Sequence, residues 1–143
     1  GEIKNWSEIG GPNRKIVRVG RDTSSGTYGS FSELVMNEEK MASDIETVGS
    51  NGAVQQSVKS TPEAIGYVGL GFLEGLKPLS IDDKKPTPQA VASGNYPIAR
   101  PLFIFTNGFP KLGSQLHLFV TLYLTEKGQE MVEAQAYVPM TSY

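Results

Sequence analysis

The chain predicts an α/β layered fold with a mostly parallel sheet, on three observations. Short apolar runs at 16–19, 64–68 and 102–105 read as strands. Helix-like patterns with hydroxyl residues near their starts lie between and after them. The first run enters its helix through a turn rich in glycine and hydroxyls, Gly20-Arg21-Asp22-Thr23-Ser24-Ser25-Gly26-Thr27. Strands alternating with helices favour a parallel sheet covered by helices. Ligands in such folds gather at the carboxyl ends of strands, which is where this turn falls.

In chain order, Ile3, Trp6 and Ile9 share a helical spacing that Gly10-Gly11-Pro12-Asn13 interrupts, predicting a short helical turn. Trp6 reads there as a cover for the core, with ligand stacking as the alternative. After strand 16–19, apolar Tyr28, Phe31, Leu34 and Val35 predict a helix over 27–36. Met36 to Ala42 is charged and reads as a solvated helical face. Ser50 and Asn51 suit the start of a helix carrying Val54 and Val58 and ending near Thr61-Pro62.

Ala64 to Val68 predicts the second strand. The Gly69-Leu70-Gly71 that follows lacks the spacing of a dinucleotide fingerprint and reads as turn glycines. Residues 77–81 suggest an edge strand, since Pro78 bars a central one, and Asp82 to Lys85 a surface turn. Thr87 suits the cap of a short helix stopped by Gly94. Leu102-Phe103-Ile104-Phe105 is the third predicted strand, and helical spacing returns from Gln115 and again from Thr125.

The turn at 20–27 has the chemistry of an anion site. A helix start leaves backbone N–H groups without intrahelical partners and carries partial positive charge. Ser25 and Thr27 add hydroxyl donors, Gly26 allows close backbone approach, and Arg21 offers a fork of donors. The competing reading is an ordinary capped helix with Arg21 in solvent. Two sharper motifs fail. A Walker A loop has a lysine where Thr27 stands, and no serine here lies in a G-x-S-x-G elbow.

At 143 residues the chain is long enough for a domain core. A net charge of −2 gives no electrostatic reason to expect nucleic acid or an anionic membrane. Cysteine is absent, so disulfides and thiolate metal sites are excluded. One histidine, His117, without a partner cluster supports neither a triad nor a metal centre and reads as a helix-surface residue. No apolar run approaches the length of a membrane span, and the opening Gly1-Glu2-Ile3-Lys4-Asn5-Trp6 reads as the start of a fragment whose export signal lies upstream.

Several stretches, in one order, resemble the phosphate-binding proteins of high-affinity phosphate ABC transporters, which have a type II periplasmic-binding-protein fold. They are Lys4-Asn5-Trp6-Ser7-Glu8-Ile9, the Arg21-x-x-x-Ser25-Gly26-Thr27 loop, Ser50-Asn51-Gly52-Ala53-Val54, Ala64-Ile65-Gly66-Tyr67-Val68, Tyr96-Pro97 with Arg100-Pro101-Leu102, and Lys127-Gly128-Gln129. The resemblance covers nearly the whole chain. It implies a two-lobed receptor that clamps inorganic phosphate and delivers it to membrane permease subunits. Arg21, Ser25, Gly26 and Thr27 would then be phosphate ligands from the second lobe, with no catalytic residue, metal or cofactor. Some members hold the arginine with an aspartate two positions later. Here that position is Thr23, and Asp22 is the neighbouring acid that would support Arg21.

The family has roughly a hundred residues ahead of this region, a domain-sized first lobe, which supplies further donors and an acidic acceptor. The resemblance therefore implies a second-lobe domain over 1–100, and a return strand with C-terminal helices over 101–143. In the intact family those helices pack on the first lobe; here the apolar faces of 115–135 are expected to fold back on this lobe or pair with another copy. Location outside the cytoplasmic membrane, with attachment through upstream residues, follows from the family alone. A lobe for another oxyanion, sulfate or molybdate, and a phosphoryl- or acyl-transfer enzyme using the same loop are the alternative functions.

Overall fold

The computed structural model describes residues 1–140. Its first strand, β1 (Val17–Arg21), is flanked by β2 (Glu46–Val48) and β3 (Ala64–Gly66) in the order β2-β1-β3, both pairings parallel. Arg21 lies opposite Val48 and Val19 opposite Gly66, so all three carboxyl ends reach one edge of the sheet. Helix α1 (Gly26–Leu34) follows β1, and α2 (Asn51–Ser60) joins β2 to β3. Further on come α3 (Pro88–Ala92), α4 (Gln115–Leu122) and α5 (Glu126–Ala134). The residues form two compact units, Gly1–Leu79 with the sheet and Ser80–Tyr143 with α3 to α5.

Local chemistry starts most of these helices. Ser25 caps α1, its hydroxyl oxygen accepting from the N–H groups of Thr27 and Tyr28 at 3.1 and 3.3 Å. Ser50 does the same for α2 through Ala53, Thr87 for α3 through Ala90, and Ser114 and Thr125 for α4 and α5. The turn Trp6–Ile9 is a 3-10 helix with a reciprocal capping box between Asn5 and Glu8. Trp6 is half-buried, and its Nε1–H donates to the Glu63 carbonyl at 2.9 Å, fastening this turn to the residue before β3.

The core of the first unit lies between α2 and the sheet. Val54 is fully buried, Val19 is 2% and Ile16 8% exposed. Gly66 makes the approach of α2 possible: a Cβ there would stand 2.8 Å from Val54 Cγ1 and 3.0 Å from the Val19 carbonyl oxygen. In the second unit Gly128 has the same function. A Cβ on it would overlap the Leu122 carbonyl, which lets α5 start directly against the end of α4.

Three expectations from the sequence are corrected, and one strand was missed. Leu102 to Phe105 is not a strand, and its side chains are 51–89% exposed. A strand needs a neighbouring edge for its N–H and C=O groups, and no described strand pairs with this run. Residues 36–42 are not helical. The chain turns after α1 through positive φ at Asn37 (48°) and Glu38 (62°), a conformation asparagine tolerates. The edge strand at 77–81 reduces to one bridge, Ile81 with Lys84, around an Asp82-Asp83 turn with both φ values positive. β2, with its exposed Glu46 and Thr47, carried no apolar signal and was not predicted.

Candidate functional site

The parallel topology brings three separate chain segments to Arg21. The residue ends β1, and the segments after β2 and β3 lie beside it at the same sheet edge. Its backbone N–H donates to the Tyr67 hydroxyl at 3.1 Å. Tyr67 is in turn held by stacking on Phe31 of α1, with ring centroids 4.0 Å apart and planes within 7°. Gly20 leaves room for this, since a Cβ there would lie 3.2 Å from the phenol oxygen.

The Arg21 side chain is 12% exposed. Its Nη1 donates to Asn51 Oδ1 at 3.1 Å and its Nη2 to the Gly49 carbonyl at 3.2 Å. Nη2 also stands 3.5 Å from Asp22 Oδ2, longer than a strong charge-assisted bond. The Nε–H is buried and has no acceptor among the described residues. A buried donor left without an acceptor costs on the order of 1–3 kcal/mol, and an anion oxygen would satisfy it.

Asp22 has a second task. Its Oδ1 accepts from the Ser24 N–H at 3.1 Å and from the Ser24 hydroxyl. The Ser24 hydroxyl bond, with the Ser24 backbone bond and Arg21 assisting, holds the carboxyl below its ordinary value of 3.8 against a partial opposing effect of desolvation. Asp22 thus shapes the turn first and touches Arg21 second. Because Ser25 Oγ already accepts two N–H groups, its own proton is what it has left to donate. The Thr27 hydroxyl, half-buried, has no partner among the described residues.

The sequence-predicted residues Arg21, Asp22, Ser25, Gly26 and Thr27 therefore lie within one turn at the head of α1. Arg21 is anchored and largely buried, which corrects the reading that left it in solvent. Sequence reasoning missed the supports, Asn51, Gly49 and Tyr67. The available signals were a polar Asn51 beside a capping serine and a phenol inside the apolar run 64–68. His117 is half-buried on α4 and its Nδ1 is enclosed without a partner among the described residues, which corrects the surface assignment. Trp6 lies away from this turn in the pairing pattern. It lines an open cavity of about 350 Å³ with Pro12, Arg14, Pro62 and Glu63. Among the described residues no cluster of three or more His, Cys, Asp or Glu is placed to hold a metal. No described helix is long and apolar enough to cross a membrane.

A family model described as a PBP superfamily domain matches residues 1–126. The chain belongs to the PBP superfamily. It is similar to the phosphate-binding protein PstS of Borreliella burgdorferi, 36% identical across 96% of this chain and 53% of that protein. PstS of Bacillus subtilis is 35% identical across 99% of this chain and 47% of its own length. The crystal structure of an ABC-type phosphate transport receptor from Vibrio cholerae superposes with a TM-score of 0.78 at 27% identity. That match covers 96% of this chain and 58% of the receptor. The chain thus spans about half the length of the relatives it matches.

Proposed function

We propose that this chain is the second lobe of a solute receptor that binds inorganic phosphate for an ABC importer. Arg21, Ser25, Gly26 and Thr27 hold the anion. The observation that carries the reading is the buried Nε–H of Arg21, without an acceptor among the described residues, on a guanidinium held by Gly49 and Asn51 a few residues before α1 begins. The hydroxyls of Ser25 and Thr27 stand at that same helix start, and Gly26 adds no side chain between them. The names of the similar proteins agree with phosphate as the anion. Binding without chemistry is the better fit for Ser25. Accepting two backbone N–H groups draws electron density from its oxygen and makes it a poorer nucleophile.

In this reading residues 1–100 form the second lobe, and residues 101–143 return to a first lobe that lies in the half of the relatives outside this chain. The exposed run 102–105 then supplies a strand to that lobe, and α4 and α5 lay their apolar side chains on it. Self-association through 115–135 is the competing use of the same surface. The receptor works outside the cytoplasmic membrane, attached through chain outside these residues, and hands phosphate to permease subunits.

A half-site open to water binds weakly. Charge-assisted hydrogen bonds contribute about 1.5–3 kcal/mol each, and association costs offset most of that sum. A Kd near 1 mM, about −4 kcal/mol, is expected. The test is a phosphate titration followed by NMR amide shifts, with sulfate as competitor, on this chain and on Arg21→Ala. Shifts centred on residues 21–28 that vanish in the variant support the reading. Equal binding by the variant overturns it. Binding of sulfate or molybdate in preference to phosphate would move the assignment to another oxyanion.

A further inference from the structure

We propose that Asn51 is a positioning and specificity residue: it fixes the Arg21 guanidinium without neutralising it, and so favours doubly charged anions. The inference rests on the anion-site reading above. The two closest side-chain contacts of Arg21 are to neutral acceptors, Asn51 Oδ1 at 3.1 Å and the Gly49 carbonyl at 3.2 Å. The one carboxylate paired with it among the described residues, Asp22, is more distant at 3.5 Å, and its other oxygen is committed to Ser24. A carboxylate in the place of Asn51 would pair with the guanidinium and cancel much of its field. An amide orients the same fork by a dipole and leaves the positive charge for the ligand.

Asn51 is itself well placed to be rigid. It is the first residue of α2, directly after the Ser50 cap that holds Ala53. The amide therefore rides on a helix start that is fixed by backbone packing rather than on a mobile loop. A guanidinium held in one orientation before the ligand arrives loses less freedom on binding. Besides Asp22, the titratable group bonded to Arg21 among the described residues is Tyr67, which touches its backbone N–H from the segment after β3.

Sulfate and phosphate separate charge from shape. Sulfate is a dianion throughout the accessible range, whereas phosphate passes from monoanion to dianion near neutrality. The experiment titrates both ions across that range into the 143-residue chain and into Asn51→Ala, Asn51→Asp and Arg21→Ala. An aspartate at the first turn of α2 suits the helix dipole, so Asn51→Asp retains the fold even if Asn51→Ala does not. Asn51→Ala is expected to weaken both ions by a similar factor, about five- to tenfold, with an unchanged pH profile. Asn51→Asp is expected to weaken sulfate about tenfold or more, while phosphate binding shifts toward acid, where the monoanion prevails. Titration of any protein group would appear in the sulfate curve as well, so a shift confined to phosphate isolates the charge of the ligand. If wild-type binding depends on Arg21 but both Asn51 variants match it in affinity and pH profile, the inference is wrong and the anion site stands. If Arg21→Ala binds as well as wild type, the anion site itself is wrong and the inference falls with it.

Discussion

Replacing Gly66 by alanine tests how tightly α2 is seated on the sheet. The added Cβ would stand 2.8 Å from Val54 Cγ1, 3.0 Å from the Val19 carbonyl oxygen and 3.2 Å from Val58 Cγ2. Two of these atoms belong to α2 side chains and could yield only by lifting the helix. The third is backbone of β1, whose residue Val19 pairs with Gly66 itself. Val54 is fully buried, so it has no solvent-side space to move into. Overpacking of this kind costs about 1–3 kcal/mol. Alanine regains roughly 0.4–1 kcal/mol by restricting the unfolded chain, leaving a net loss of about 1–2 kcal/mol. Urea unfolding followed by Trp6 fluorescence reads the first unit specifically, because Trp6 is the only tryptophan and is bonded to Glu63 beside β3. The Val54→Ala background should reduce the added cost of Gly66→Ala, because the nearest clash is then gone. A Gly66→Ala variant as stable as wild type would refute the argument that close helix–sheet contact dictates glycine here.

Ser25→Ala removes the cap from α1 and should cost about 1 kcal/mol of stability in the same assay; an unchanged urea midpoint would show that the two N–H bonds contribute nothing. Gly128→Ala should do the reverse of what helix propensity alone predicts. Alanine would gain about 1 kcal/mol inside a free helix, but here its Cβ meets the Leu122 carbonyl, and a net loss of about 2 kcal/mol or more is expected in the thermal unfolding of helical signal. The carboxylate of Glu8 is held below its ordinary 4.5 by the N–H groups of Lys4 and then Asn5, at 2.9 and 2.7 Å. A depressed folded-state value means that its contribution is complete above 4.5 and is lost as pH falls through the lower folded value. Glu8→Gln should therefore flatten the acid side of the stability profile read by Trp6, and an unaltered profile would count against it.

Much of the first unit was legible because its signals are local. An apolar run, a hydroxyl cap and a helical spacing are each contained within a few residues, and β1, α1, α2 and β3 follow from them. The turn proposed to hold an anion could be read for the same reason, since Arg21, Ser25, Gly26 and Thr27 lie on one short loop. What holds Arg21 in place was not. Asn51 and Tyr67 stand 30 and 46 positions away in the chain, and only parallel pairing at a shared register carries the ends of β2 and β3 to the end of β1.

The run 102–105 marks the opposite limit. Its composition is that of a strand, but strand formation is a property of two edges, and the sequence states only one. Gly66 and Gly128 belong to the same class of late decisions. In sequence they are permissive residues in a strand and a helix, and in the fold they are points where a side chain would meet packed backbone. Sequence alone determined where most helices start and which turn carries the donors proposed for an anion, because caps, periodicity and donor chemistry act over a few bonds. Tertiary structure decided which donors are anchored and which runs find partners, because those depend on contacts between segments far apart along the chain.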